Sequence, residues 1–510
     1  MALSTLLDTL PMYSHLSFTL LFLIVVPVLA TFLYRLIFHP LSRIPGPFLA
    51  KVTSLYLYYH SYRGDECTLV DRLHQRYGPV IRIAPNEVSV SDGAALAPVH
   101  TERGGFMKAE CYRNFDIDGH PSIFSALDPA HRAVRSKAVV SMFSTSAIRA
   151  GTDVLEGCVG RLVDRMKAEA GRSRQTKKET GEARRVNVLN LSRSLAVDAV
   201  SAYLFNQSFG GIEENDEELS ASQFVNAFVA VGRFFYLPNW AFSALELASA
   251  KIWPSKAVDE SMEKMDRFVS NLVEEAANGG KRSDTYQGRL LHAGISKHET
   301  AAQCKDLIFA GTDSTGMNLG TICWHLARDA DIYQSLRDEI RKADAEDKNY
   351  NPQSLPYLRA VMNEGLRLSM ANPTRLPRVV PATGWSFHSP QDDKQTYFPA
   401  GAVVGLQIYS LHHNPAVFPD PFRFLPDRWL AGSDAETQRL MQRDFIPFGI
   451  GPRQCIARNL ATAELYFAVR RIVREDVLKG AKAVGEKIEI MEWFNSKVVG
   501  EKIELFWDGE

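Results

Sequence analysis

An uncharged, apolar run near the amino end constrains the fold of this chain more than any other segment. The run extends from Leu16 to Tyr34 and has the sequence LSFTLLFLIVVPVLATFLY. As an α-helix it would be roughly 28 Å long, close to the hydrocarbon thickness of a bilayer. A core helix, a cleaved signal peptide and a mitochondrial presequence fit less well, because the run is apolar on all faces and no Lys or Arg precedes it. We therefore predict a transmembrane anchor over residues 16–37, preceded by a lumenal segment of residues 1–15.

Charges and prolines after this run predict how the rest of the chain is placed. Arg35, Arg43 and Lys51 follow the run, so the positive-inside rule places the carboxyl-terminal part in the cytosol. Residues 38–50 are rich in proline, which indicates a stiff hinge, although an ordinary surface loop would have much the same local structure. Residues 51–510 then form the remaining domain.

The composition argues against several classes of protein. Hydrophobic residues make up 45% and charged residues 23%, a balance typical of a globular domain rather than of a disordered chain. The formal net charge of −1 gives no indication of a nucleic-acid partner. The six cysteines form no C-x-x-C pair, which argues against a disulfide scaffold or a structural zinc site and favours a reducing compartment.

Local patterns predict a mainly α, α+β domain, in which a large helical part accompanies a smaller β part. Helical periodicity covers much of residues 128–341, interrupted by a charged segment at residues 170–185 that we predict to be a solvated loop. Residues 81–90 predict two short strands around a Pro-Asn turn, and further strands are expected after Pro373.

One cysteine has unusual surroundings. Cys455 lies in the segment FIPFGIGPRQCIARNLA, whose glycines and prolines predict a tight loop, with a helix beginning near Ala457. A sulfur at a helix start and close to Arg453 should favour its thiolate form, which a soft metal centre prefers. Three other cysteines fit the alternative, a small buried hydrophobic residue: Cys67, Cys111 and Cys158.

A second segment breaks a rule of helix composition. Apolar periodicity predicts one long helix through Leu307–Leu326. Gly311 and the polar residues Thr312–Thr315 all disfavour a helix interior, which indicates a functional opening. A helix boundary with Asp313 or Ser314 as the N-cap is an equally open alternative.

The Cys455 segment resembles the haem-binding loop of the cytochrome P450 family. The matching pattern is Phe448-x-x-Gly451-x-Arg453-x-Cys455, and Ala457 stands where the family usually has Gly. The resemblance implies that Cys455 is the proximal iron ligand of haem b, iron protoporphyrin IX. It also implies that Phe448 packs beside the sulfur and that Arg453 binds a haem propionate. The added methyl group of Ala457 is expected to be tolerated.

The long helix resembles the family's helix over the haem. Ala310, Gly311, Asp313 and Thr315 match its motif, whereas Ser314 stands where Thr is usual. The resemblance implies that Asp313 and Ser314 are catalytic and relay protons to bound dioxygen. Because Ser has more rotamer freedom than Thr, we expect looser coupling of electrons to product.

Further residues match the family in the same order along the chain. Glu364, Arg367 and Arg428 would lock the core beneath the haem, which is a structural role.

Three cationic residues are candidate propionate ligands. His131 and Arg135 occupy the family's W-x-x-x-R position on one helix face, and Arg378 matches a strand arginine. For each of them a plain surface charge is the alternative. By the same resemblance the substrate pocket draws on five segments: Gly104–Leu127, Phe224–Phe242, the helix around Ala310, Asn372–Arg378 and Trp493–Ser496. Within the second, the run FVNAFVAVGRFFYLPNW fits a core segment and a membrane-resting lip equally well.

Taken together, the resemblance implies a cytochrome P450 fold and a monooxygenase like the microsomal fungal enzymes. The expected partners are O2, a lipophilic small molecule such as a secondary-metabolite intermediate, and NADPH-cytochrome P450 reductase as electron donor. The expected location is the endoplasmic reticulum membrane, with residues 51–510 as the haem-thiolate catalytic domain. A basic surface including Lys137, Arg443 and Arg458 would attract the reductase. A haem-thiolate isomerase or oxidative cyclase and a non-catalytic haem sensor are the alternatives. A cysteine hydrolase is disfavoured, because no histidine motif accompanies Cys455.

Overall fold

The computed structural model of the protein describes residues 23, 25–214, 219–252, 255–279, 284–347, 350–430 and 434–508. Within these ranges the chain is mainly helical. The α-helices are α1 (Phe48–Val52), α2 (Leu55–Arg63), α3 (Glu66–Tyr77), α4 (Leu96–His100), α5 (Pro129–Val139), α6 (Thr145–Ala150), α7 (Thr152–Thr180), α8 (Val188–Phe205), α9 (Ser222–Val231), α10 (Asn239–Ile252), α11 (Lys256–Ala277), α12 (Tyr286–His292), α13 (Lys297–Arg328), α14 (Ala330–Glu346), α15 (Pro356–Ser369), α16 (Ile408–His412), α17 (Ala435–Asp444) and α18 (Arg458–Arg474). Short 3-10 helices, such as Gly232–Phe234 and Gly451–Arg453, join several of them.

The strands form a smaller part of the structure. They are β1 (Val80–Ala84), β2 (Glu87–Val90), β3 (Met107–Lys108), β4 (Val186–Asn187), β5 (Arg378–Val379), β6 (Trp385–Ser389), β7 (Lys394–Phe398), β8 (Val403–Leu406), β9 (Ala481–Ala483), β10 (Ile490–Met491), β11 (Lys497–Val498) and β12 (Glu504–Trp507). The largest described sheet has the order β1-β2-β8-β5-β3, and β4-β12-β9, β6-β7 and β10-β11 form smaller ones. The two strands predicted at residues 81–90 are confirmed as β1 and β2, and so is the mainly α, α+β composition.

The longest of the described helices, α13, runs through the hydrophobic core. Its 32 residues make it about 48 Å long, and it packs against α8, α11, α15 and α18. The prediction of one continuous helix is confirmed, and the alternative of a boundary at Asp313 or Ser314 is wrong. Close packing explains the glycine at position 311. A Cβ there would lie only 2.8 Å from a methyl group of Val200 on α8, so a larger residue would push the two helices apart. The hydroxyl of Ser314 donates to Ala310 O at 2.8 Å, so it is satisfied without breaking the helix.

The prediction of a solvated loop over residues 170–185 is wrong, because α7 continues to Thr180. The segment is amphipathic, with a charged outer face and an inner face that packs on the carboxyl-terminal strand β12. Ser173 is fully buried, donates to Arg184 O at 2.6 Å and accepts a bond from Trp507 N at 3.0 Å. The charges that indicated a loop lie on the outer face of a packed helix.

The predicted lumenal segment, residues 1–15, lies outside the described residues, and so do residues 16–22 and 24 of the predicted anchor; the rest of the anchor, residues 23 and 25–37, is described. In the described part of the chain no helix has both the length and the apolar character needed to cross a membrane. The proline-rich segment that follows is packed on the domain, with Leu41 and Ile44 buried. Pro45 O accepts a hydrogen bond from Arg82 N of β1 at 2.7 Å.

Candidate active site

The loop around Cys455 has the tight, irregular form expected from its glycines and prolines. Cys455 N donates to Phe448 O at 2.9 Å, which closes the loop in front of α18. Gly451 has φ +77°, and a Cβ there would overlap the carbonyl oxygen of His100, so the position requires glycine. Cys455 and Phe448 both line a large internal cavity.

The sulfur of Cys455 is open to this cavity but shielded from bulk water by the walls around it. Burial raises the pKa of the Cys455 thiol, and the Ala457 backbone N–H and the Arg458 charge offset only part of that effect. The helix start therefore assists the thiolate as predicted, whereas Arg453 does not contribute, because its guanidinium group donates to the carbonyls of Phe124 and Ala126. A bound metal ion is what would hold the sulfur in its thiolate form.

Helix α13 forms the wall opposite the Cys455 loop. Gly311, Ser314 and Thr315 line the cavity on this side. Asp313 points the other way, into a buried ion pair with Arg193 of α8, with 2.5 Å between Arg193 Nη2 and Asp313 Oδ1. Burial raises the pKa of Asp313 and the Arg193 charge opposes that shift. The structure thus places Ser314 at the cavity, whereas the side chain of Asp313 does not line the cavity.

Four cationic residues meet at one end of the cavity: Lys108, Arg132, Arg378 and Arg453. Lys108 lies directly opposite Arg378 in the antiparallel pair β3–β5. Burial lowers the pKa of all four, and mutual repulsion adds to this for Lys108 and Arg453. Within the described chain, Nε and Nη1 of Arg378 and Nε of Arg132 have no hydrogen-bond partner. Unpaired buried cations are costly, so this end of the cavity calls for anionic groups.

The structure does not place His131 and Arg135 among the residues that line the cavity. Arg135 forms a two-point ion pair with Glu299 of α13, at 2.6 and 2.9 Å. His131 Nε2 lies 3.3 Å from Pro121 O and 3.6 Å from the same glutamate. Arg132, one residue further along α5, faces the cavity instead. The sequence therefore predicted the basic cluster on α5, but it did not predict which of its residues face the cavity.

Lys108 is a further residue of the site that the sequence analysis did not predict. Its ammonium group lies 4.0 and 3.9 Å from the ring centres of Tyr112 and Phe124, and it donates to Phe124 O at 2.6 Å. Only its register opposite Arg378 marks it as part of the site, and that register depends on a pairing between distant strands.

Glu364, Arg367 and Arg428 come together in one buried network, as predicted. The side chains of Glu364 and Arg367 are fully buried and are joined by two bonds of 2.7 and 2.9 Å. Glu364 also accepts from Arg428 Nε, Leu425 N and Trp429 Nε1, at 2.9 to 3.1 Å. This network ties α15 to the segment that precedes the loop, which is a structural role.

The remaining walls of the cavity are largely apolar and aromatic. Each of the five segments predicted to contribute does so, and one member of each is Tyr112, Phe228, Ala310, Asn372 and Phe494. The run of residues 224–240 is mainly core, since its phenylalanines and valines are largely buried, whereas Trp240 at its end is 77% exposed.

These groups fit a haem. Cys455 would hold its iron through the thiolate sulfur, and its two propionates would neutralise the guanidinium groups that the described chain leaves unpaired. Gly311 of α13 and the aromatic side chains line the same cavity as Cys455, and this cavity would hold both such a group and a substrate. The model of the family described as Cytochrome P450 matches residues 45–488. The chain belongs to the cytochrome P450 family.

Similar proteins agree with this cytochrome P450 assignment. The cytochrome P450 monooxygenase mfmF of Annulohypoxylon moriforme is 40% identical over 504 residues, which cover 95% of this chain and 98% of that protein. The cytochrome P450 monooxygenase AKT7 of Alternaria alternata is 29% identical over 471 residues, covering 89% and 87%. A crystal structure of the cytochrome P450 CYP102L1 has a TM-score of 0.65 at 15% identity, covers 86% of this chain and 94% of that one, and supports the fold alone. The chain is a cytochrome P450 monooxygenase, an oxidoreductase whose family uses haem.

Proposed function

We propose that this cytochrome P450 inserts one oxygen atom from O2 into a lipophilic small molecule, an intermediate of fungal secondary metabolism, with haem b as cofactor. The observation that carries this proposal is a single cavity with the Cys455 sulfur on one wall, Gly311 and Ser314 on the opposite wall, and aromatic side chains elsewhere. A mostly apolar cavity with few polar groups selects lipophilic ligands. The fungal relatives named as monooxygenases support the reaction class.

The residues of the chain divide the work by position. Cys455 would hold the iron, and Arg132, Arg378 and Lys108 would bind the propionates. When bound, the haem supplies the activation of O2 that amino-acid side chains lack. The Ser314 hydroxyl donates a hydrogen bond to Ala310 O. A rotation about χ1 of Ser314 would break this bond and direct the hydroxyl toward the cavity.

The proposed electron donor is NADPH-cytochrome P450 reductase, which would dock on a basic surface. Lys137 and Arg458 are exposed and available for such a contact. Arg443 is half-buried and paired with Asp444 at 2.5 Å, so it would contribute less than the other two.

The same enzyme would be anchored in the endoplasmic reticulum membrane by residues 16–37, with its catalytic domain in the cytosol. Support comes from exposed apolar side chains on α1, α2 and α10, including Phe48 at 64%, Leu55 at 68% and Trp240 at 77%. Helix α2 packs against the 3-10 helix Gly232–Phe234. This 3-10 helix belongs to the run of residues 224–240, and Phe228 of the same run lines the cavity. A lipid-facing surface formed by α1, α2 and α10 would therefore admit lipophilic substrates to the cavity.

The test begins with the full-length protein expressed in yeast microsomes. The reduced, CO-bound absorption spectrum should show a thiolate-type Soret band, and Cys455→Ser should abolish it. Incubation with NADPH, the reductase, labelled O2 and a lipophilic fungal extract should give products that carry one labelled oxygen. Unlabelled products would overturn the monooxygenase proposal in favour of an isomerase or cyclase. A wild-type protein without haem would overturn it outright.

A further inference from the structure

Among the described residues that line the cavity, Asp306 of α13 is the one carboxylic acid. It lies one turn before Ala310 and two turns before Ser314, and all three residues line the same face of the helix. Eight residues separate Asp306 from Ser314, which corresponds to about 12 Å along the helix axis. The acid is therefore remote from the level at which Ser314 faces the Cys455 loop.

The surroundings of Asp306 are mostly apolar. Ile123, Phe124, Leu307 and Phe309 line the cavity in the adjoining segments. Burial raises the pKa of Asp306 to about 6, while a hydrogen bond from Ser122 and the charge of Lys108 oppose the shift. A carboxylate in such a place is costly unless its oxygens accept hydrogen bonds.

The described chain satisfies this carboxylate only in part. Ser122 offers one hydroxyl, which also accepts bonds from the backbone N–H groups of Phe124 and Ser125. Lys108 is the one described group of opposite charge that acts on Asp306, and its ammonium group is already bonded to Phe124 O at 2.6 Å. Lys108 also belongs to the cationic end of the cavity, where the propionates would compete for it. Acceptor capacity on Asp306 is thus left facing the space where a substrate would lie.

We propose that Asp306 determines specificity by accepting a hydrogen bond from a hydroxyl or N–H group of the substrate. This assignment rests on the proposed function, because it requires that the cavity bind a lipophilic substrate. It narrows the substrate class to elongated, mostly apolar molecules with a hydrogen-bond donor at one end. The bond that is oxidised lies toward the other end, near the level of Ser314.

Binding of two matched probes to the haem-loaded, full-length enzyme tests the assignment without turnover. The probes are decanol, which has a donor, and its methyl ether, which has none. Dissociation constants come from the Soret shift that accompanies ligand binding. The wild type should bind the alcohol about tenfold more tightly than the ether, which is the contribution of one hydrogen bond to a charged acceptor. In Asp306→Ala this preference should disappear through weaker alcohol binding, with the affinity for the ether unchanged.

The matched control is Asp116→Ala. Asp116 is a nearby half-buried acid that accepts from Ser125 Oγ at 2.6 Å and is not among the cavity-lining residues. Its charge raises the pKa of Asp306, so removing it favours the carboxylate form of Asp306 and does not weaken Asp306 as an acceptor. This variant should keep the tenfold preference, and its loss there would indicate a general loosening of the segment and overturn the assignment. If Asp306→Ala does not retain haem, Asp306→Asn keeps the shape and one acceptor oxygen and should show a preference of about threefold.

The outcomes separate the two proposals. Equal binding of both probes to the wild type overturns the role of Asp306 and leaves the lipophilic cavity supported. A preference that survives in Asp306→Ala also overturns that role. Binding of neither probe overturns both the role of Asp306 and the proposed lipophilic substrate.

Discussion

Replacing Glu364 by glutamine should destabilise the enzyme by about 3–5 kcal/mol, the usual cost of removing one partner from a buried ion pair. The side chain is fully buried, and its two oxygens accept bonds from five donors: Arg367 Nε and Nη2, Arg428 Nε, Leu425 N and Trp429 Nε1. Glutamine keeps the shape, but one oxygen becomes an NH2 group that faces donors. Arg367 then keeps its charge in a fully buried position without a counter-ion.

The assay is urea unfolding of the haem-loaded protein, followed by tryptophan fluorescence and by the Soret band. Asp427→Asn is the control, because Asp427 is exposed beside Arg428, and it should change the free energy of unfolding by no more than about 0.5 kcal/mol.

Acidification gives a second readout of the same prediction. Burial raises the pKa of Glu364, but the hydrogen bonds and charges of Arg367 and Arg428 outweigh it and hold the pKa below its usual value. Since the folded pKa is below the unfolded one, the stabilisation is present at neutral pH and is lost as the pH falls through the folded pKa. The difference between the wild type and Glu364→Gln should therefore shrink in acid. A difference below about 1 kcal/mol at pH 7, or one that does not shrink, would refute the reasoning.

Three further predictions concern the loop, the cationic end and α13. Gly451→Ala should lower the haem content per protein more than Gly500→Ala. Both positions have positive φ, and alanine adds about 1–2 kcal/mol of strain at each, but only at position 451 does the new methyl group meet backbone atoms. Equal losses of haem in the two variants would contradict this prediction. Arg132→Met should speed haem release several-fold. Arg135→Met should lower the thermal midpoint without changing the rate of haem release, because the partner of Arg135 is Glu299, which lies outside the cavity. Similar release rates in the two variants would count against Arg132 as a propionate ligand. Asp313→Asn should cost about 3 kcal/mol in urea unfolding, because its buried arginine partner loses its counter-ion, and an unchanged midpoint would show that the pair is not needed.

The features that the sequence predicted are those built from neighbouring residues. The loop around Cys455 is a run of glycines and prolines with a fixed local form, and the pair Glu364 and Arg367 lies within one helical turn. The course of α13 through Gly311 was predicted because apolar periodicity outweighs one poor helix former.

The features that were missed depend on partners far along the chain. Asp313 is turned from the cavity by Arg193, which is 120 residues away in sequence. Arg135 is held by Glu299 at a separation of 164 residues, and this leaves the cavity-facing position to Arg132. No local pattern carries such information, because the same motif fits several rotations of its helix.

The carboxyl-terminal strand β12 has a consequence for biosynthesis. Trp507 is completely buried, its indole donates to Val477 O at 2.9 Å, and its backbone N–H bonds to Ser173 on α7. Trp507 follows Ser173 by 334 residues, so the inner face of α7 stays uncovered during synthesis until β12 has been made. A chain truncated before β12 would leave this face of α7 uncovered, so we expect such a truncation to lower the folding yield.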